Sequence, residues 1–168
     1  MKNKLYVMCG CPGSGKSTFC KTHFENDVKY VSRDDIRFSL VKEDEEYFSH
    51  ENEVFDKYIS EIKDGLTYGD TIADATHLNS GSRTKLLRNL GNSLKDCEVI
   101  AVVVKTSLDT CINRNEKRID TRSYVPISVI KNMYVSFSMP RFEEGFDKII
   151  VVNSENNNKI TVKVKNNE

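Results

Sequence analysis

Neither sign of charge prevails in this chain: lysine plus arginine and aspartate plus glutamate number 25 each among 168 residues. Without a net field the protein cannot hold a polyanion by overall charge, so any nucleic acid would have to be gripped by a local basic cleft. No apolar run approaches the roughly 18 residues of a membrane span. Met1-Lys2-Asn3-Lys4 leads into an apolar stretch too short for a signal-peptide core, so the expectation is a cytoplasmic protein with no membrane partner. The five cysteines, Cys9, Cys11, Cys20, Cys97 and Cys111, form no C-x-x-C pair and have no histidine at zinc-like spacing. That excludes a disulfide scaffold or a structural zinc site and predicts reduced thiols, with Cys9 and Cys97 as small core residues. Internal repeats and long linkers are also missing. Residues 1–168, with 38% hydrophobic residues, are therefore expected to form a single domain.

What is present starts at Gly10. Gly10-Cys11-Pro12-Gly13-Ser14-Gly15-Lys16-Ser17 fits G-x-x-x-x-G-K-[ST] at every fixed position and follows the apolar run Leu5–Cys9. Ordinary residue usage yields such a match by chance in about one chain per two hundred of this length. The residue types suit a phosphate: glycines let backbone N–H groups turn inward, the Lys16 ammonium serves the β- and γ-phosphates, and the Ser17 hydroxyl can ligate Mg²⁺. A helix beginning at Lys16 would aim its N-terminus at the anion. Cys11, Pro12, Gly13, Ser14, Gly15, Lys16, Ser17 and Thr18 are accordingly expected to bind ATP or another nucleoside triphosphate, with Ser17 on the metal. Cys11 lies in this loop with no base in view to make it reactive.

Apolar runs alternate with helical patterns, which predicts an α/β fold with a parallel sheet and crossover helices. Strands are expected at 5–9, 28–32, 71–75, 98–104 and 148–152, and helices at 16–25, 34–40, 47–66, 82–94, 108–119 and 127–137. Glu43-Asp44-Glu45-Glu46 reads as a solvated loop or helix start, since adjacent carboxylates diverge. After the turn-rich stretch 154–158, Ile160, Val162 and Val164 alternate with Thr161, Lys163 and Lys165, the pattern of an edge strand.

Two further clusters carry charge where phosphoryl chemistry needs it. Ser32-Arg33-Asp34-Asp35-Ile36-Arg37 follows the second strand and so falls at the carboxyl edge of the sheet, beside the phosphate loop. Transfer to a hydroxyl requires a carboxylate within reach of its proton. Asp34 and Asp35 are the candidates; they point in different directions, so one faces the cleft, and either could instead cap the helix. In Asn113-Arg114-Asn115-Glu116-Lys117-Arg118, Arg114 and Arg118 share a helix face and could reach one transferring phosphate. The alternative is a solvated face paired with Glu116 and Asp120.

Together, GCPGSGKST (10–18), SRDDIR (32–37), DATHLNSGSR (74–83), RNEKR (114–118) and VPISVIKNMY (125–134) resemble the kinase domain of the bacteriophage polynucleotide 5′-kinase/3′-phosphatase family and its relatives in bacterial RNA repair. The resemblance runs from Lys4 to about Tyr134. It implies a P-loop kinase fold with a small helical lid at about 114–126, and transfer of the γ-phosphate of ATP, with Mg²⁺, to 5′-hydroxyl ends of RNA or DNA. It further implies Asp34 as general base and Arg37 as a contact to the acceptor's phosphate; Asp35 and Thr76 are expected to bind the acceptor beside them. Arg118, supported by Arg114, would stabilise the transferring phosphate, and Lys16 completes the catalytic set. His77 departs from the family pattern, where D-A-T is usually followed by Asn. No D-x-D-G-T phosphatase signature occurs, so no 3′-phosphatase activity is expected of this polypeptide. Two alternatives stay open: a kinase of a small metabolite or nucleotide sugar, which the balanced charge permits, and a nucleotide-dependent switch. A switch has no use for Asp34 and Arg37, and no N-K-x-D guanine-reading segment is present.

Overall fold

A computed structural model describes residues 1–155 and 159–164. Strand and helix alternate along it: β1 (Asn3–Cys9), α1 (Lys16–His23), β2 (Lys29–Ser32), α2 (Arg33–Leu40), α3 (Glu51–Tyr68), β3 (Thr71–Asp74), α4 (Ser80–Leu90), β4 (Cys97–Lys105), α5 (Leu108–Glu116), α6 (Ile127–Ser136), β5 (Lys148–Asn153) and β6 (Lys159–Val164). The sheet order is β2-β3-β1-β4-β5-β6, with the first five strands parallel and β6 antiparallel to β5. Strands covered on both faces must be apolar on both, and β4 accordingly buries every residue from Val99 to Val104.

One face of the sheet packs Leu5, Val7 and Cys9 against Val54, Tyr58, Ile62 and Leu66 of α3 and Leu86 and Leu90 of α4. The other packs Met8, Ile72, Ile100 and Val102 against Phe19 and Cys20 of α1. Because β1 lies between β3 and β4, the loops leaving β1 and β3 emerge side by side at the carboxyl edge. The Gly10 N–H donates to the Thr76 carbonyl at 2.9 Å and ties them together.

Three boundaries differ from the sequence pattern by three residues or more. α3 starts at Glu51, not Tyr47, because Tyr47 and Phe48 turn back over α2, where the Arg37 guanidinium lies 4.5 Å from the Tyr47 ring centroid. α4 stops at Leu90, before Gly91 in the left-handed region (φ 50°), and a single 3₁₀ turn follows. α5 ends at Glu116, short of Ile119. The reason is Asn115, whose buried amide accepts from the Val125 N–H at 3.0 Å and donates to the Val125 carbonyl at 2.7 Å, closing residues 116–124 into a loop. The expected helical lid at 114–126 is therefore helical only at its start, and Arg118 sits in a turn, off the helical face of Arg114. The acidic stretch 43–46 lies in the turns between α2 and α3, and β6 is exposed along its whole length. Part of the expected turn, 156–158, and Lys165 lie outside the described residues. No described helix is long and apolar enough to cross a membrane.

Candidate active site

The phosphate loop is shaped by backbone. Gly13 (φ 79°) and Gly15 (φ 100°) adopt left-handed angles, and a side-chain carbon on Gly13 would meet the Cys111 carbonyl oxygen at 2.6 Å. The loop's carbonyls are drawn outward: Arg114 Nη1 donates to those of Gly13 (3.2 Å) and Ser14 (3.1 Å), and Ser154 Oγ to that of Ser14 (3.0 Å). Gly15 caps α1 with no side-chain acceptor. The N–H groups of Gly13, Gly15, Lys16 and Ser17 make no hydrogen bond among the described residues. The Ser14 hydroxyl is buried without a partner among the described residues, and Lys16 Nζ folds back onto the carbonyls of Gly10 (2.8 Å) and Cys11 (3.1 Å). Uncommitted donors at a helix N-terminus, with a lysine resting on carbonyls it can release, form an anion cradle. Cys11 is buried against Leu78, Cys111 and Ile130. Burial, foremost, pushes its thiol up to about 11, so it is not a reactive thiolate.

Asp74 was absent from the sequence expectations as a functional residue. It ends β3 next to β1, is 6% exposed, and accepts from Ser17 Oγ at 3.3 Å and from the Tyr30 hydroxyl. Burial raises its pKa, and the Lys16 charge opposes the rise. It forms no salt bridge among the described residues, and a buried carboxylate facing a hydroxyl without a paired cation fits a divalent metal. Its signal in the sequence was a carboxylate closing an apolar strand. His77, the departure from the family pattern, points inward at left-handed φ (41°). Its Nδ1 bonds the Met8 carbonyl at 2.6 Å and its Nε2 lies 3.4 Å from the Tyr58 hydroxyl. Burial lowers its pKa to about 4, so the ring is a neutral packing element with no access to an acceptor.

On the acceptor side, Ser32 caps α2 by accepting from the Asp35 N–H at 3.2 Å, so neither aspartate is the cap. Asp35 is exposed and makes no side-chain hydrogen bond or ion pair among the described residues, and Thr76 is half-buried with its carbonyl on Gly10. The Asp34 carboxylate is 64% exposed, yet its Oδ1 is held by Arg37 Nη1 (2.6 Å) and by the Tyr47 hydroxyl (2.9 Å). Arg37 itself is 6% exposed: Nη1 also donates to Tyr47 (2.9 Å), while Nε and Nη2 grip Glu51 at 3.0 to 3.3 Å. All three of its nitrogens are engaged, so a phosphate contact there requires an exchange of partners. Burial, foremost, pushes the Tyr47 hydroxyl up to about 12, which keeps it a proton donor to Asp34.

Arg114 and Arg118 part company. Arg114 is built into the phosphate loop, whereas Arg118 is exposed and makes no side-chain hydrogen bond among the described residues. Arg122, further along, ties the loop after α5 to α2 by donating to the carbonyls of Phe38 (3.3 Å) and Val41 (2.7 Å).

The chain is 30% identical over 154 residues to the L-seryl-tRNA(Sec) kinase of Methanococcus maripaludis, covering 85% of this chain and 56% of that protein. It is 28% identical over 157 residues to a protein of Acanthamoeba polyphaga mimivirus named as a bifunctional polynucleotide phosphatase/kinase, covering 90% of this chain and 33% of that one. In the solved Pnkp1/Rnl/Hen1 RNA repair complex, one chain superimposes with a TM-score of 0.60 at 25% identity, over 80% of this chain and 44% of its own length. The chain thus spans about half or less of each of these relatives. A family profile described as an AAA domain matches residues 5–140, nearly the whole stretch that builds the cleft, and the chain belongs to that family, AAA_33, with the fold of a P-loop kinase.

Proposed function

We propose that this P-loop kinase transfers the γ-phosphate of ATP, or of a related triphosphate, to the 5′-hydroxyl end of RNA or DNA. The observation that carries the reading is the exposed Asp34 carboxylate, held by Arg37 and Tyr47 at the same sheet edge as an anion cradle whose N–H groups are uncommitted. A nucleotide switch needs the cradle alone; a phosphotransferase needs both. Relatives named as polynucleotide and tRNA kinases support a nucleic-acid acceptor.

Lys16 and the N–H groups of the loop hold the β- and γ-phosphates, while Arg114 keeps the loop in shape. Ser17 and Asp74 would hold Mg²⁺, which supplies charge neutralisation at those phosphates. Asp34 accepts the proton of the acceptor hydroxyl as its oxygen attacks the γ-phosphorus; the bond to the β–γ bridging oxygen breaks and ADP leaves. Arg118, uncommitted at the lid, meets the charge that spreads over the transferring group. Asp35 and Thr76 flank the acceptor. All five cysteines are free, in keeping with a reducing compartment such as the cytoplasm.

The test is incubation with γ-labelled ATP, Mg²⁺ and a panel of 5′-hydroxyl oligonucleotides beside small polyols and nucleotide sugars. Label at the 5′ end of the oligonucleotides is the expected outcome. Preferential labelling of a polyol or sugar would assign a metabolite kinase, and ATP hydrolysis with no labelled acceptor would assign a switch.

A further inference from the structure

Arg33 and Arg37 stand one turn apart on α2 and differ in how their donors are used. Arg37 has every nitrogen engaged inside the protein. Arg33 gives Nη2 to Glu51, while its Nε is buried with no partner and its Nη1 makes no hydrogen bond among the described residues. Its side chain is 25% exposed, and it immediately precedes Asp34. The guanidinium lies 5.3 Å from the ring centroid of Phe55 on α3, and the same ring holds Lys85 Nζ of α4 at 4.5 Å. Lys85 is exposed and has no salt bridge among the described residues. Two cations with spare donors are thus gathered on one aromatic ring, beginning one residue from the base, with the Glu51 carboxylate already engaged by both arginines.

A buried N–H without a partner calls for a ligand, and the edge of a guanidinium matches the oxygens of a phosphate. The chain's overall neutrality makes a local basic path necessary for any polynucleotide, and this is one the fold supplies. We propose that Arg33 binds the first internucleotide phosphate of the acceptor strand and Lys85 the next, so that the strand leaves the site across Phe55, between α2 and α4. Arg37 then serves as the clamp that positions Asp34. The inference rests on the polynucleotide reading above and specifies where the acceptor lies.

The experiment measures Michaelis constants, with saturating ATP and Mg²⁺, for a nucleoside 3′-monophosphate and a 5′-hydroxyl trinucleotide at several KCl concentrations. Parent, Arg33→Ala, Lys85→Ala and the double variant are compared, with folding followed by circular dichroism. Arg33→Ala should raise the constant for both acceptors, and Lys85→Ala should raise it more for the trinucleotide than for the mononucleotide. For the trinucleotide, the slope of log affinity against log salt should weaken by about 0.7 in each single variant and about 1.4 in the double. An active parent whose trinucleotide constant and salt slope survive both substitutions overturns the inference and leaves the proposed function standing. A parent that hydrolyses ATP yet phosphorylates neither acceptor removes the function itself, and the inference with it. Should Arg33→Ala fail to fold, the exposed Lys85→Ala decides through the same two readouts.

Discussion

The two sides of the cleft are built in opposite ways. The donor side is backbone: glycine angles, a helix start without a side-chain cap and a buried Ser14 hydroxyl unpartnered among the described residues. The acceptor side is side chain, with Asp34, Arg37, Tyr47 and Glu51 bonded to one another. A triphosphate can therefore enter its cradle chiefly by displacing the Lys16 ammonium from two carbonyls, whereas an acceptor hydroxyl meets a carboxylate already oriented by two partners on one oxygen, Oδ1. The difference separates binding from chemistry: one side is ready for a ligand, and the other is held in readiness for a proton.

The sharpest way to break this contrast is at the base. Asp34→Asn keeps the shape but cannot take the proton, so turnover should fall by about 100- to 10,000-fold while ATP binding persists; Asp35→Asn, on an exposed side chain without a hydrogen bond or ion pair among the described residues, should cost far less. Steady-state kinetics with parallel nucleotide titration checks both, and a reversed order would exchange the two assignments. On the donor side, Lys16→Ala should lower transfer by about 100- to 1,000-fold without unfolding the protein, since Lys16 contributes nothing to the apolar clusters. Near-normal turnover in a folded variant would take the loop out of the mechanism.

Arg37→Ala sharpens the comparison, because it removes the clamp and leaves the base. Losing charge-assisted bonds of this kind is worth about 1.5 to 3 kcal/mol each, or roughly 10- to 150-fold. The loss should appear in kcat and in thermal stability, with the Michaelis constant for ATP near that of the parent. A loss confined to the acceptor's Michaelis constant, and only for acceptors bearing a 3′-phosphate, would return the phosphate contact to Arg37.

His77, shared by both sides beneath the sheet edge, gives the smallest effect. Its pKa is about 4 in the fold, below the unfolded value of 6.5, so the unfolded chain binds the extra proton first and acid favours unfolding. Stability should be complete above about pH 6.5 and fall by about 2 kcal/mol on reaching pH 5. Thermal melts across this range, repeated on His77→Asn, should show that part of the acid sensitivity disappearing in the variant.

The donor side was legible in the sequence because its eight fixed and variable positions are contiguous and the geometry follows from glycine and a helix start. The acceptor side was legible only in residue types. Asp34 and Arg37 stood out, but Tyr47 and Glu51 reach them from a different element, and nothing local announces that a turn will fold back over α2. Asp74 escaped for the same reason: its role depends on β3 lying beside β1, a matter of strand order. The end of α5 is not legible either, because Asn115 bonds Val125 across the loop, a tertiary contact that ends the helix before its propensity does.

The most direct test of the central claim is the rate of ADP release with and without two oligonucleotides of one sequence, one ending in a 5′-hydroxyl and the other already carrying a 5′-phosphate. The account predicts strong stimulation by the first and none by the second. Equal stimulation by both, or a greater response to a polyol than to the 5′-hydroxyl strand, would contradict it.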